Sequence, residues 1–314
     1  MRGAVATNAA EAAVKEPPLR LGTRGSALAL AQANAVAKAI GGADVVPIKT
    51  SGDRGEINDK ARFVREIERA LLDGEIDLAV HSAKDLPSEL PDGLEIAGVP
   101  PREDARDAYI GKVSSLGEVP EGSRIGTSSL RRRAQLLALR PDLEILEMHG
   151  NVDTRLEKLH AGEFDGLVLA AAGLRRLGRA DQISFALELD EMIPSPGQGA
   201  LAIEAAHADD RPVTAAESIT DRGALGTLSA ERALVAALDA SCNTPLGAAA
   251  TLEHGGMMRL RAFCGLPDGS EWIRDELEVD ASNPEALGRG LAERLKSAGA
   301  RDLLARAEEM AVQA

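Results

Sequence analysis

The sequence predicts an α/β fold: two α/β lobes followed by a small C-terminal α+β domain. Three observations predict it. From Leu19 to Glu204 short apolar runs alternate with helical patterns, the order that builds a mostly parallel sheet. Two proline-led polar stretches, Pro100–Asp107 and Pro194–Gly199, break that alternation and read as crossovers between lobes. Beyond Asp221 the order becomes helix, strands, helices, which marks a separate unit. The expected division is 19–100 with 198–220 as the first lobe, 101–197 as the second and 221–314 as the third domain. Residues 1–18 are Ala-rich, hold no continuous apolar stretch and end in Pro17-Pro18. They read as a disordered extension rather than an export signal, which makes the cytoplasm the expected compartment.

Leu19-Arg20-Leu21 begins a strand that ends in Gly22-Thr23-Arg24-Gly25-Ser26, and Ser26 suits the N-cap of a helix over Ala27–Ile40. Leu28, Ala31, Ala35 and Ile40 form its expected buried face. Val45–Ile48 is the next strand and Thr50–Asp59 a polar loop. Phe63–Leu72 is an amphipathic helix on Val64, Ile67 and Leu71, stopped by Asp73-Gly74. Ile76–Val80 and Leu94–Val99 read as strands. In the second lobe Ile125-Gly126 leads to a helix faced by Leu130, Ala134, Leu136 and Leu137. Leu143–Glu147 and Leu167–Ala170 are its further strands. Ala200–Glu204 returns to the first lobe. Leu228–Leu238 is a helix, Asp239–Pro245 a loop and Gly247–Leu252 a strand. Met258–Phe263 and Trp272–Val279 form a hairpin about Pro267-Asp268-Gly269, and helices cover Pro284–Met310.

Composition excludes several classes of function. A formal net charge of −14 repels polyanions, and one Trp, one Tyr and four Phe give few platforms for base stacking, so no nucleic acid is expected as a partner. No apolar run approaches the ~20 residues of a membrane helix, so no membrane partner is expected either. The two cysteines form no metal-spaced pair and the five histidines no metal-binding motif, so no metal is expected.

In so acidic a chain, arginine clusters are informative. Thr127, Ser128 and Ser129 precede a helix whose first turns hold Arg131, Arg132 and Arg133. Free N–H groups, the positive helix end and guanidinium forks all favour an anion, and forks suit carboxylates. The same residues also fit a capped surface helix with solvated arginines. Arg24, Arg155, Arg175 and Arg176 recur just beyond strands in both lobes, a registration that favours a cleft lined for carboxylates. Lys84-Asp85, directly after a buried strand and before Pro87, reads as a carboxylate held in that cleft or as a surface ion pair. Cys264 follows an apolar run and reads as packed. Cys242, in a polar loop of small residues, reads as either a reactive or an inert thiol.

Eight stretches together resemble the hydroxymethylbilane synthase (porphobilinogen deaminase) family over Leu19 to Met310. They are Thr23–Gln32, Val80–Pro87, Pro101–Ala108, Ile125–Arg132, Gly150–Arg155, Gly173–Gly178, Pro196–Ala200 and the Cys242 loop. The resemblance implies that the first two lobes are similar to type II periplasmic binding proteins. It implies a monomer carrying a dipyrromethane cofactor in thioether linkage to Cys242, onto which four porphobilinogen molecules are condensed with loss of ammonia. Hydrolysis then releases the linear tetrapyrrole hydroxymethylbilane. By the same resemblance Asp85 is the catalytic carboxylate. Lys84, Thr127, Ser128, Ser129, Arg131 and Arg132 would hold the cofactor's acid groups, and Arg24, Ser26, Arg155 and Arg176 the substrate and growing chain. Arg133, outside the shared motif, is left to a solvated face. Two departures stand out. The family's glycine-rich segment before Phe63 is replaced by Ile57-Asn58-Asp59-Lys60-Ala61-Arg62, and its arginine before Gly150-Asn151-Val152 by His149, a weaker substrate contact.

Overall fold

In the computed structural model, residues 16–49, 60–207, 209–240 and 244–313 are described, apart from the side chains of 60–63, 312 and 313. The expected loop at Thr50–Asp59, any role of the Lys60 side chain, most of the N-terminal extension and Cys242 itself lie outside the described residues. The first lobe runs β1 (Leu19–Arg24), α1 (Ala27–Ala39), β2 (Ala43–Ile48), α2 (Lys60–Leu72), β3 (Leu78–Ser82) and β4 (Leu94–Gly98). The second runs β5 (Asp107–Ile110), β6 (Arg124–Gly126), α3 (Leu130–Leu139), β7 (Glu144–Leu146), α4 (Val152–His160), β8 (Gly166–Ala170), α5 (Ala171–Arg176) and β9 (Phe185–Ala186). The chain then returns as β10 (Leu201–Ala206) and α6 (Asp210–Glu217).

The two sheets have one plan. Their orders are β2-β1-β3-β10-β4 and β7-β6-β8-β5-β9, and in each the fourth position is antiparallel to its neighbours. That strand is the one the chain enters directly from the other lobe. The remaining strands are parallel, so the carboxyl ends of β1 and β3, and of β6 and β8, open on one edge of each sheet. β5 was not foreseen. Its Asp107 lay in a charged stretch that reads as linker, and only the arginines it meets explain a carboxylate inside a strand.

The third domain is α7 (Arg222–Leu238), β11 (Leu246–Glu253), β12 (Met257–Gly265), β13 (Trp272–Asp280), α8 (Pro284–Ser297) and α9 (Ala300–Gln313). Its antiparallel sheet carries the helices on one face, where Leu234, Leu260, Leu291, Leu295 and Leu303 are buried. β13 alternates exposed and half-buried residues throughout, as a strand with one wet face must. Cys264 is fully buried within this core, and burial pushes its thiol up to about 12, so it is a packed, inert sulfur.

The crossovers lie side by side and are fastened by a backbone hydrogen bond and by the side chains of Arg102 and Glu231. Glu103 N donates to Gly199 O (3.1 Å), and Gly199 has φ +85° with no room for a Cβ against Glu103 O. Arg102 donates to both oxygens of Glu231 on α7 (2.8 and 3.0 Å) and to Gln198 O (3.0 Å). Glu231, fully buried, also accepts from Gly197 N (2.7 Å) and Ala250 N (2.8 Å). One carboxylate thus joins the outgoing crossover, the returning crossover and the third domain.

Several expectations need correcting. The buried face of α1 is Gln32, Ala33, Val36 and Ala37, not the Leu28–Ile40 stripe, because an Ala-rich helix offers several equally apolar faces. α3 buries Arg131, Arg132 and Gln135 along with Ala134 and Leu136. α7 begins at Arg222, six residues earlier than its apolar pattern, with Asp221 accepting from Ala224 N at its N-cap (2.7 Å). Of the extension, Glu16 and Pro17 are held by Arg211, through Glu16 Oε2 (2.9 Å) and Pro17 O (2.5 Å).

Removing the charge of Glu231 leaves Arg102 buried against fewer acceptors. Glu231→Gln is expected to destabilise the protein by about 3–5 kcal/mol in urea unfolding. A loss under about 1 kcal/mol would show that the carboxylate does not fasten the crossovers.

Candidate active site

β3 ends at Ser82 and the chain turns through a short 3-10 segment, Ala83–Asp85. Ala83 N donates to Ala200 O (3.0 Å), tying the turn to the start of β10. Gly197, at φ +73°, packs so closely that a Cβ there would stand 2.9 Å from Lys84 N. Only glycine allows this approach. Asp85 is thereby fixed in backbone position. Its carboxyl is half-buried, and among the described residues it makes no hydrogen bond.

Asp85 and Lys84 line a cavity of about 330 Å³ together with Pro196, Arg232, Ala240 and Thr244. Ala240 and Thr244 are the described ends of the loop that contains Cys242. That loop leaves α7 through Asp239 in the left-handed region (φ 55°), a conformation aspartate tolerates better than most residues. Thr244 Oγ1 donates to Glu308 Oε1 on α9 (3.0 Å). The structure therefore brings the Asp85 turn of the first lobe and the ends of the Cys242 loop to one cavity.

In the second lobe the N-cap of α3 forms as expected. Ser129 Oγ accepts from Arg132 N (3.4 Å), and Thr127 Oγ1 accepts from Ser129 N (3.2 Å). Thr127 is buried and Ser128 exposed. Arg131 Nη1 donates to Asp107 Oδ2 (2.7 Å) and Ile193 O (2.8 Å). Arg132 donates from Nε to Asp107 Oδ1 (2.9 Å) and from Nη1 to Val168 O (3.0 Å). Gln198 Nε2 reaches the same Asp107 oxygen (2.9 Å). Burial pushes the Asp107 carboxyl up, but the two guanidinium groups outweigh it and hold the group well below the ordinary carboxylate range. Two arginines against one carboxylate leave a net positive charge at this wall.

Partner type divides the arginines of the chain. Arg20, Arg102, Arg124 and Arg140 pair with carboxylates, of Asp77, Glu231, Asp165 and Asp142 respectively. Arg155 donates from Nε to Gly150 O (2.8 Å), Arg176 from Nη2 to Gly199 O (2.7 Å), and Arg232 from Nη2 to Ser88 O (2.8 Å). A backbone carbonyl satisfies donors without neutralising the charge. Burial, with Arg132 nearby, lowers the Arg155 guanidinium to about 10, and burial lowers Arg176 and Arg232 as well. These three cations are desolvated with no carboxylate bonded to them among the described residues, the state that favours an incoming anion.

Ser26 caps α1 by accepting from Ala29 N (3.3 Å), and Arg24 closes β1 beside it. Leu28 of α1 lies opposite Gly173 of α5, so the two helices meet across the lobes. His149 is exposed beside Glu147 (Nε2 to Oε2, 3.2 Å). Arg133 is not on a solvated face. It is half-buried with Nε in no hydrogen bond, and its charge helps hold the Asp268 carboxyl of the third domain below its ordinary value, after the stronger hydrogen bonds from Ser270. Sequence reasoning missed Arg232, Asp107 and Gln198. Arg232 lies on a helix rich in alanine and leucine, and its basic side chain was the one available signal.

Comparisons with known proteins agree over nearly the whole chain. The family model described as porphobilinogen deaminase, dipyromethane cofactor binding domain, matches residues 19–214, and the porphobilinogen deaminase C-terminal domain matches residues 225–297. A porphobilinogen deaminase of Thermus thermophilus is 47% identical over 293 residues, spanning 91% of this chain and 97% of its own. One from Campylobacter hominis is 42% identical over 307 residues, spanning 93% of this chain and 99% of its own. Among solved structures, DctP7 of Bordetella pertussis, an extracytoplasmic solute receptor binding pyroglutamic acid, aligns with a TM-score of 0.37. It is 10% identical and covers 64% of this chain and 76% of its own.

The Asp107 cluster makes a pH-dependent contribution to stability. A carboxyl held below its unfolded value, ~3.9, stabilises the fold above that pH and loses the contribution as pH falls through the folded value. Thermal unfolding is therefore expected to show a steep loss of stability below about pH 4, much flattened in Asp107→Asn. Parallel acid limbs in the two proteins would count against the cluster.

Proposed function

The chain belongs to the porphobilinogen deaminase family, and from that premise we propose that Asp85 is the catalytic carboxylate of its reaction. The protein is a transferase of tetrapyrrole biosynthesis, a hydroxymethylbilane synthase with a dipyrromethane cofactor. Cys242 carries that cofactor in our reading, since it stands two residues from each of Ala240 and Thr244, both of which line the Asp85 cavity. The residues present suit such a group. Lys84 and Arg232 line the same cavity, and Arg232 rests on a backbone carbonyl rather than a carboxylate, as a ligand bearing acetate and propionate arms requires. When bound, the dipyrromethane supplies a covalently held pyrrole end to which new units are joined.

The chain's own residues account for the rest. Asp85 accepts a hydrogen bond from the pyrrole N–H of incoming porphobilinogen and moves the proton that departs with ammonia. Its negative charge faces the cation that develops on the substrate pyrrole when the C–N bond breaks. Lys84, Thr127, Ser128, Ser129, Arg131 and Arg132 hold cofactor carboxylates, with Asp107 fixing the two guanidinium planes. Arg24, Ser26, Arg155 and Arg176 hold substrate and growing chain, with His149 as a weaker contact. Four porphobilinogen molecules are condensed before the linear product is released. Residues 19–100 with 198–220, 101–197 and 221–314 act as three domains in this scheme. The protein works as a cytoplasmic monomer, and its charge of −14 supports small acids at local traps rather than nucleic acid as ligands. Among the described residues no helix is long and apolar enough to cross a membrane.

The observation that carries the reading is the shared cavity of Asp85 and the ends of the Cys242 loop. Intact-protein mass spectrometry is expected to show two pyrrole units added to the chain, and none in Cys242→Ala. An unmodified mass together with no product from porphobilinogen would sink the assignment. Asp85→Ala is expected to lower kcat by about 10²-fold or more while the thermal transition is retained. Near-normal turnover would remove Asp85 from its role.

A further inference from the structure

Three titratable side chains that the reaction does not use are buried together in the first lobe. His81 on β3 and Glu204 on β10 lie on neighbouring antiparallel strands, with His81 opposite Ala202 and Glu204 opposite Ala79. His81 Nε2 stands 3.0 Å from Glu204 Oε2, with side chains 4% and 0% exposed. The approach is out of line with the ring N–H, so neither Glu204 oxygen accepts a hydrogen bond. Glu68 of α2 is buried beside them with Oε1 equally unpartnered. Burial, and the Glu204 charge after it, push the Glu68 carboxyl up, while His81 and Arg65 act the other way.

A fold gains little from such a cluster. Buried charges without matched hydrogen bonds are costly, and apolar residues of similar volume would be as stable or more so. The charged groups facing the cluster are Arg65, on the Glu68 side, and Arg232 of α7. Arg232 lies in the wall of the Asp85 cavity and donates to Ser88 O, three residues beyond Asp85. Burial weakens its hold on its proton, and Glu204 is the group that opposes this. Val64 of α2, Ala202 of β10 and Leu228 of α7 pack in one core cluster, and Glu68, Glu204 and Arg232 are the next residues along those same faces. The packing thus sets the buried carboxylate beside Arg232 and, through it, the cavity.

We infer that Glu204, with His81 and Glu68, is a positioning group for the reaction: it maintains negative charge behind Arg232, keeps that guanidinium seated on Ser88 O, and so fixes the cavity wall that Arg232 shares with Asp85. The inference rests on the assignment of Asp85. His81, on β3 four residues before Asp85, packs against the Glu204 carboxylate from one side.

A double-mutant cycle on the holoenzyme tests this. Glu204→Gln is expected to lower kcat about tenfold with KM for porphobilinogen little changed. In an Arg232→Met background the same change is expected to add less than about twofold, because the group it acts through is gone. A wild-type kcat in Glu204→Gln, or an undiminished effect in the Arg232→Met background, would overturn the proposal. Thermal unfolding checks that each variant folds. If Glu204→Gln does not fold, His81→Gln takes its place in the cycle with the same expected loss of effect. The two failures are separable. An active Asp85→Ala variant removes the Asp85 assignment, whereas additive losses at Glu204 and Arg232 with Asp85→Ala inactive remove only this one.

Discussion

The contact between Arg102 and Glu231 is the constraint on which the rest of the structure depends. Each lobe receives an antiparallel strand from the other, so the two crossovers must run together and exchange backbone hydrogen bonds. A bundle of irregular backbone at the centre of a molecule needs partners for its polar groups. Glu231 supplies them from the third domain, accepting from Gly197 on the returning crossover and from Arg102 on the outgoing one. The same residues position the chemistry. Gly197 packs on the Lys84 amide, and Arg232, the next residue after Glu231, reaches Ser88 on the far side of the Asp85 turn. The Asp85 turn is thus held from both sides by elements that Glu231 joins.

Much of this was legible in the sequence, for a physical reason. Short strands followed by glycine loops and helix caps are local signals, and they located Arg24, Ser26, the Asp85 turn, Ser129 and Arg155 at strand ends. The proline-led stretches located the crossovers. What was not legible is set by partners distant in sequence. Asp107 reads as one charge among many in a polar run until Arg131, Arg132 and Gln198 converge on it. The inward face of α3 is polar because of that convergence, so an apolar stripe could not find it. α1, apolar nearly all round, gave too many stripes, and the sheet rather than the helix selects the buried one. Arg232 was hidden by its setting in a helix rich in alanine and leucine.

The same distinction separates arginines paired with carboxylates from those that rest on backbone carbonyls. In a protein of net charge −14, carboxylates are abundant, and most arginines near one take it. Arg155, Arg176 and Arg232 instead donate to backbone carbonyls. Such a bond relieves the geometric need of a buried guanidinium but leaves its charge, so the desolvation cost is recovered only when an anion arrives. Arg131 and Arg132 are an intermediate case, two cations sharing Asp107. Their planes are fixed in advance, which reduces the entropy lost on binding, and one positive charge remains for a carboxylate.

This arrangement bears on how one site can serve several additions. A wall whose cations were neutralised by protein carboxylates would have to break ion pairs at every step, and each exchange would depend on the particular geometry of the chain bound. A wall whose cations rest on carbonyls offers the same potential to each new acetate or propionate, wherever along it the arm falls. The protein therefore keeps its carboxylates out of hydrogen bonds with these guanidinium groups among the described residues. At the cavity itself Asp85 remains as a carboxylate without a protein partner among the described residues. In the proposed reaction it faces the place where the substrate, not the protein, becomes the cation.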